Sequence, residues 1–342
     1  MLTSLPHPAP GTVRRTLSLE ISPDRDWSAG LRVTAITRDL LVGAGGAVVT
    51  PDGAFVPGGS MVLRGARMGV TVDAASRVTG IDSELPAGVT DPLIGAAAVS
   101  GFRARLAALD GLDPSSLESA VLDELPTVRL ISGYARMIEL IGLTGADGVA
   151  EAGRSPMAGV CAGWAPGATA DTRVRAGLPV MNGTPPARPL TSMTPYFHAE
   201  PSPRPRSMRR RRILDVTRRD GGYEVFEYYR DSHFDAGLRE GALHEYEVHA
   251  RVAPCEGQTD EGWTLKHVDV VPHALPFGEC PLAAPNAADL AGAPLREIAG
   301  TVRERLAGTR GCTHLNDTLR FLRYVPALVS PGGAPNLNAE AG

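Results

Sequence analysis

The chain is 342 residues long, 43% hydrophobic and 21% charged, and its 34 Lys and Arg against 38 Asp and Glu give a formal net charge of −4. That composition belongs to a folded protein with a sizeable core, and it excludes a disordered chain or one that coats nucleic acid through bulk positive charge. Four cysteines are too sparse for a disulfide scaffold, and no apolar run has the length of a secretory leader or of a membrane span of roughly 18–20 residues. The sequence therefore reads as cytoplasmic, with no nucleic acid and no membrane among its partners.

Residues 1–13 read as a flexible N-terminus. From residue 14 the runs RRTLSLEI and LRVTAITRDLLV, joined by SPDRDWSAG, predict two strands. In the second, Leu31, Val33, Ala35 and Thr37 alternate with Arg32, Thr34, Ile36 and Arg38. GAGG at 43–46 lacks the third glycine of a dinucleotide-binding loop, and its surroundings read as a hairpin. SMVLRGARMGVTVD and RVTGIDSE predict two more strands. Near residue 92 the period changes: Asp113 and Pro114 form an N-cap and N1 pair, Ser115 and Glu118 fit a capping box, and Leu117, Val121, Leu122 and Leu125 share a helix face. PTVRLISGYARMIELIGL fits either a strand or a second helix.

Residues 165–207, rich in Pro, Gly and Thr, read as a long surface loop or lid. Beyond them RRRRILDVTRR and YEVFEYYRDS flank Asp220-Gly221-Gly222, which predicts a hairpin with Ile213 and Phe226 on its two strands. LHEYEVHARV and WTLKHVDVV extend this to a four-stranded meander. Pro294 at N1 opens a helix with Leu295, Ile298, Val302 and Leu306 on its apolar stripe, and Gly308 closes it. A last helix follows GCTH, burying Leu315, Leu319, Leu322 and Val325. The tail, 331–342, reads as disordered.

Chemistry concentrates at GCTHLND. Cys312 and His314, two apart, converge on one centre only if Cys312 lies in the loop before the helix, where the helix dipole favours a thiolate. Thirty-one residues separate Cys280 from Cys312, and a helical hairpin between the two cysteines returns the chain. Cys280, Cys312 and His314 then make a Cys2His set suited to zinc, with a fourth position open. Two buried free cysteines and a surface histidine are the competing reading. His244 or Asp317 serves as acid or base in the first reading, and Cys161 as a nucleophile only if a histidine reaches it; packing of Cys161 and Trp164 under the lid is the plainer expectation. In SMRRRR, Arg209 and Arg211 face one way and Arg210 and Arg212 the other. They pair with carboxylates, or Arg210 and Arg212 grip an anionic substrate.

RRT near the start, RDLL at 38–41, SGYA at 132–135, CAGW at 161–164, SMRRRR, RDS at 230–232, HEY at 244–246, ECP at 279–281 and GCTHLND at 311–317 together resemble an uncharacterised bacterial family, a domain of unknown function found in proteobacteria and actinobacteria. The resemblance spans nearly the whole chain. It implies one shared fold and a cysteine- and histidine-bearing C-terminal corner, and no reaction.

The expected architecture is a single α+β domain over 14–330, largely antiparallel sheet with helices packed on one side. The expected function is a metal-assisted enzyme, a lyase, hydratase or hydrolase, with zinc as cofactor and a small carboxylate- or CoA-linked substrate. A non-catalytic small-ligand-binding or accessory protein and a thiol redox protein are the alternatives.

Overall fold

Strand-forming runs separated by tight turns make ten strands in the computed structural model, which describes residues 5–49, 55–152, 157–178, 180, 184–188, 190, 196–255 and 262–329. In chain order they are β1 (Val13–Pro23), β2 (Gly30–Leu41), β3 (Ala47–Val49), β4 (Phe55–Pro57), β5 (Met61–Asp73), β6 (Val78–Asp82), β7 (Met208–Arg219), β8 (Gly222–Phe234), β9 (Glu240–Pro254) and β10 (Trp263–Ala274). The helices are α1 (Ala87–Thr90), α2 (Phe102–Ala107), α3 (Leu117–Ala152), α4 (Thr169–Arg175), α5 (Ile298–Arg305), α6 (Thr313–Phe321) and α7 (Val325–Val329). Eight strands form one open antiparallel sheet in the order β10-β9-β8-β7-β1-β2-β5-β6, and β3 and β4 make a separate small hairpin beside GAGG. The fold is therefore α+β with a predominantly antiparallel sheet.

The predicted hairpin is present: Arg219 pairs with Gly222 across Asp220-Gly221, and Gly221 takes a φ of +77°, which a side chain would resist. Ile213 lies on β7 and Phe226 on β8. β7 to β10 form the expected meander, and β7 joins it to the N-terminal strands by pairing with β1.

On one face of the sheet Leu17, Leu19 and Ile21 of β1, Val33 and Ala35 of β2 and Leu214 and Val216 of β7 meet Val121, Leu122, Leu125 and Val128 of α3 and Leu315 and Leu319 of α6 in the main core. α3 differs from the sequence reading at both ends. Its first turn is capped by Ser116, whose hydroxyl accepts the Ser119 N–H at 3.0 Å, while Asp113 instead closes a local turn onto Ser115. PTVRLISGYARMIELIGL continues the same helix with Pro126 inside it. Pro294 precedes a short 3-10 turn, 295–297, rather than opening an α-helix. Cys280–Leu290 is likewise 3-10, because Pro281 and Pro285 lack the amide an α-helical interior needs.

The other face is polar yet also covered, in part by the segment 165–207 expected as a surface loop or lid. α4 lies within this segment, and its later part packs against β1, with His198 4% exposed between Thr16 and Ser18. The N-terminal segment is not loose from Leu5 onward: Leu5 packs with Phe197, Ile213 and Tyr228, and Thr12 is buried. The tail at 331–342 lies outside the described residues.

Candidate functional site

Because side chains alternate along β7, Arg210 and Arg212 point to the helix layer and Arg209 and Arg211 to the opposite face. Cross-strand pairing sets two rows on the helix side: Arg210, Asp231 and His244 are successive neighbours, as are Arg212, Tyr229 and Tyr246. Between Asp231 and Ser232 the register steps by one, leaving Leu243 as the extra residue of a bulge beside His244. Bulges of this kind re-aim the side chains next to them. α3 lowers Glu124 onto the two arginines and α6 lowers Asp317.

The arginines are fully committed. Arg210 grips Asp231 as a two-pronged fork at 2.8 and 2.9 Å and reaches Glu124, Asp317 and the Tyr229 hydroxyl. Arg212 bonds Glu124, Asp317 and Glu227 at 2.8–3.2 Å. Both are 0% exposed. Of the two readings of these arginines, carboxylate pairing is the one the geometry matches, and neither guanidinium reaches solvent. Burial alone would raise the Asp317 carboxyl, but Arg103, Arg212 and Arg210 outweigh it and hold it below the usual carboxylate range. A carboxylate so held is no general acid, so Asp317 acts as an ion-pair anchor. Glu227 goes the other way: burial, stronger than the pull of Arg212, pushes it well up and favours the protonated acid.

GCTHLND behaves locally as its spacing suggests. Cys312 takes extended φ and ψ and precedes α6 as its N-cap residue. Gly311 is required at its position because a Cβ there would meet the Leu306 carbonyl oxygen at 2.2 Å. His314 and Asp317, three apart, share the face of α6 that meets the sheet. Their neighbours nevertheless differ from the expected set. The Cys312 thiol receives the Tyr246 hydroxyl at 3.3 Å, whereas the His314 ring stacks on His244, centroids 3.4 Å apart and planes 17° apart.

Among the described residues, the metal-type donors that come within 4.8 Å of one another are those of Asp231, His244 and His314; Cys280, Cys312 and His314 are no such group. The Cys2His expectation is corrected accordingly, because Tyr246 draws Cys312 into one cross-strand row while His314 stands over the next. Nδ1 of His244 and Nε2 of His314 are buried and have no hydrogen-bond partner, with Nδ1 of His244 3.9 Å from Asp231. Burial, reinforced by Arg210 and Arg212, brings His314 down to about 3. Burial and then His314 lower His244 well below its usual value.

The cysteines make a packing junction. The Ala162 amide donates to Gly311 O at 2.9 Å, Glu279 accepts from the Thr169 amide and hydroxyl, and a Cβ on Gly163 would lie 2.8 Å from Cys280 Sγ. CAGW, ECP and GCTHLND thus meet in one corner. Burial, helped by the nearby Cys312, raises the Cys161 thiol and pushes Cys280 up to about 12. Raised thiols are poor nucleophiles, which favours the packing expectation for Cys161.

Sequence reasoning missed Asp231 and Glu124 as members of this centre. Asp231 stood in the quoted RDS, and its pairing opposite His244 in HEY was the missing information.

Residues 208–327 match the model of a family described as "Protein of unknown function (DUF2889)". That stretch carries Arg210, Arg212, Asp231, His244, His314 and Asp317, while Glu124 and Cys161 come from the chain before it. No curated protein and no solved structure matches the chain. No helix among the described residues is long and apolar enough to cross a membrane.

Proposed function

We propose that the chain is a metal-assisted enzyme, a lyase, hydratase or hydrolase acting on a small carboxylate- or CoA-linked molecule, whose ion is held by His244, His314 and Asp231. The observation that carries this reading is the pair of buried, unpartnered ring nitrogens beside a carboxylate, since a buried polar atom without a partner needs a reason. The depressed histidines favour one of two uses. A ring near 3 is a weak general base at neutral pH, but the neutral imidazole is the form that binds a metal.

Three ligands and an open fourth position are the pattern of catalytic zinc, where bound water becomes acidic enough to act as hydroxide. Tetrahedral bonds of roughly 2.0–2.2 Å set donors about 3.3–3.6 Å apart, closer than the 4.8 Å reach of this group, and they splay stacked rings. His314, on the first turn of α6 and partly exposed, is the ligand placed to make that adjustment. Asp231 must share its carboxylate with Arg210, which keeps it oriented.

The burial of Cys161 and Cys280 speaks against the thiol redox alternative. Titrating metal-free protein with zinc against a chromophoric chelator tests the proposal. One tight equivalent per chain, lost in His314→Ala and in His244→Ala but kept in Cys280→Ser, supports it; no competition with the chelator removes it.

A further inference from the structure

On the outer side of Asp317 a cleft of about 590 Å³ opens between α2, α3, α5 and α6. Its charged lining is Arg103, Arg303, Arg320 and Asp317, with the hydroxyls of Ser100, Thr127 and Thr313 and the amide of Asn316 nearby. The single lining carboxylate is already divided: Asp317 serves Arg103 through one oxygen and Arg210 and Arg212 through the other. Behind the wall Asp123 is shared among Arg103 at 3.0 Å, Arg323 at 3.4 Å and Arg320 at 3.7 Å, and the charge of Glu124, itself bonded to Arg210 and Arg212, also reaches Arg103 and Arg323.

Along the described lining of the cleft three guanidiniums thus face one carboxylate. Arg320 shows the consequence: its Nε is buried without a hydrogen-bond partner, and burial together with Arg103 lowers its affinity for its proton. An anion in the cleft would relieve both. The size suits a small molecule, the range for such sites being about 300–1,000 Å³. The cleft is open as well, for Arg303 and Ser100 on its rim are exposed and the Arg103 and Arg320 side chains keep 25% and 18% of their surface.

We infer that this cleft binds the oxyanion group, carboxylate or phosphate, of a small molecule, with Arg303, Arg320 and Arg103 as its cationic partners. Arg320 and Arg103 are held in place by Asp123, and Arg303 comes in from the solvent side. Charge-assisted contacts from planar guanidiniums recognise both oxyanions, and the hydroxyls add orientation. The inference does not depend on a metal at His244 and His314, because it is read as binding without turnover.

Isothermal titration of the full chain at low salt with inorganic phosphate, and separately with malonate, tests it. Saturable binding of at least one probe below about 1 mM is expected, weakened at least about tenfold by Arg303→Glu and by Arg320→Gln. Arg239→Gln, at an exposed ion pair on the β8–β9 turn, should bind as the parent does. Tighter phosphate identifies a phosphate-bearing ligand, and tighter malonate a carboxylate. If neither probe saturates by about 10 mM, or if a folded Arg303→Glu binds as well as the parent, the inference is overturned; Arg303 is exposed, so this variant keeps its fold even if Arg320→Gln does not.

Discussion

Arg210 has four charged or phenolic partners and no contact with water, so its worth lies in what it neutralises. Removing one member of a buried ion network leaves the others charged and unpaired, which costs about 3–5 kcal/mol. Arg210→Gln should therefore lower the unfolding free energy by about that amount, measured by urea denaturation, whereas an effect under about 1 kcal/mol would mean that the network is solvated. The sequence showed the alternation of the four arginines but not their burial, because a run of like charges carries no sign of carboxylates that arrive from α3 and α6. His198 makes a second residue-scale prediction. Burial, then the charges of Arg38, Arg67, Arg211 and Arg209, hold it well below its usual 6.5. The folded state binds less proton there than the unfolded state, so its contribution is complete above about 6.5 and is lost as pH falls below that. Between pH 7.5 and 5.5 the parent should lose about 1.4 kcal/mol more stability than His198→Gln. Equal losses in urea melts at the two pH values would show that His198 protonates in the fold.

The elements whose causes are local were readable. Asp220-Gly221 predicts its hairpin, and the stripe of Leu315, Leu319, Leu322 and Val325 predicts a single last helix, which the structure divides into α6 and α7 with a 3-10 turn at 322–324 between them. Elements whose limits depend on distant contacts were not. α3 runs through Pro126 because its apolar face packs along the sheet, and the segment near His198 looks like a loop in composition but is pinned by hydroxyls of β1. At GCTHLND the position of Cys312 before the helix was legible, and the destination of its thiol was not, since that depends on which row of β9 lies beneath it. Gly311 sets this geometry. With the Leu306 carbonyl oxygen 2.2 Å from where a Cβ would sit, Gly311→Ala must push the loop outward, at about 1–3 kcal/mol for overpacking. Thermal unfolding should show the loss; an unchanged melting temperature would mean that the loop yields freely.

Across the whole molecule, β7 joins two halves that are distant in sequence. Its pairing with β1 closes the N-terminal strands onto the meander and brings α3 over the arginine rows. No local pattern announces that pairing, which is why the antiparallel α+β class was legible and the burial of both sheet faces was not. The centre at Asp231, His244 and His314 lies where β8 and β9 meet α6, with the arginine cleft on the outer side of Asp317. The proposed function requires that this centre hold an ion. Elemental analysis of the full chain purified without added metal, beside His314→Ala prepared in the same way, is the decisive measurement. Close to one zinc per parent chain and none in the variant is the expected result; a parent chain free of metal, or a variant that keeps the same metal content, would overturn the proposal.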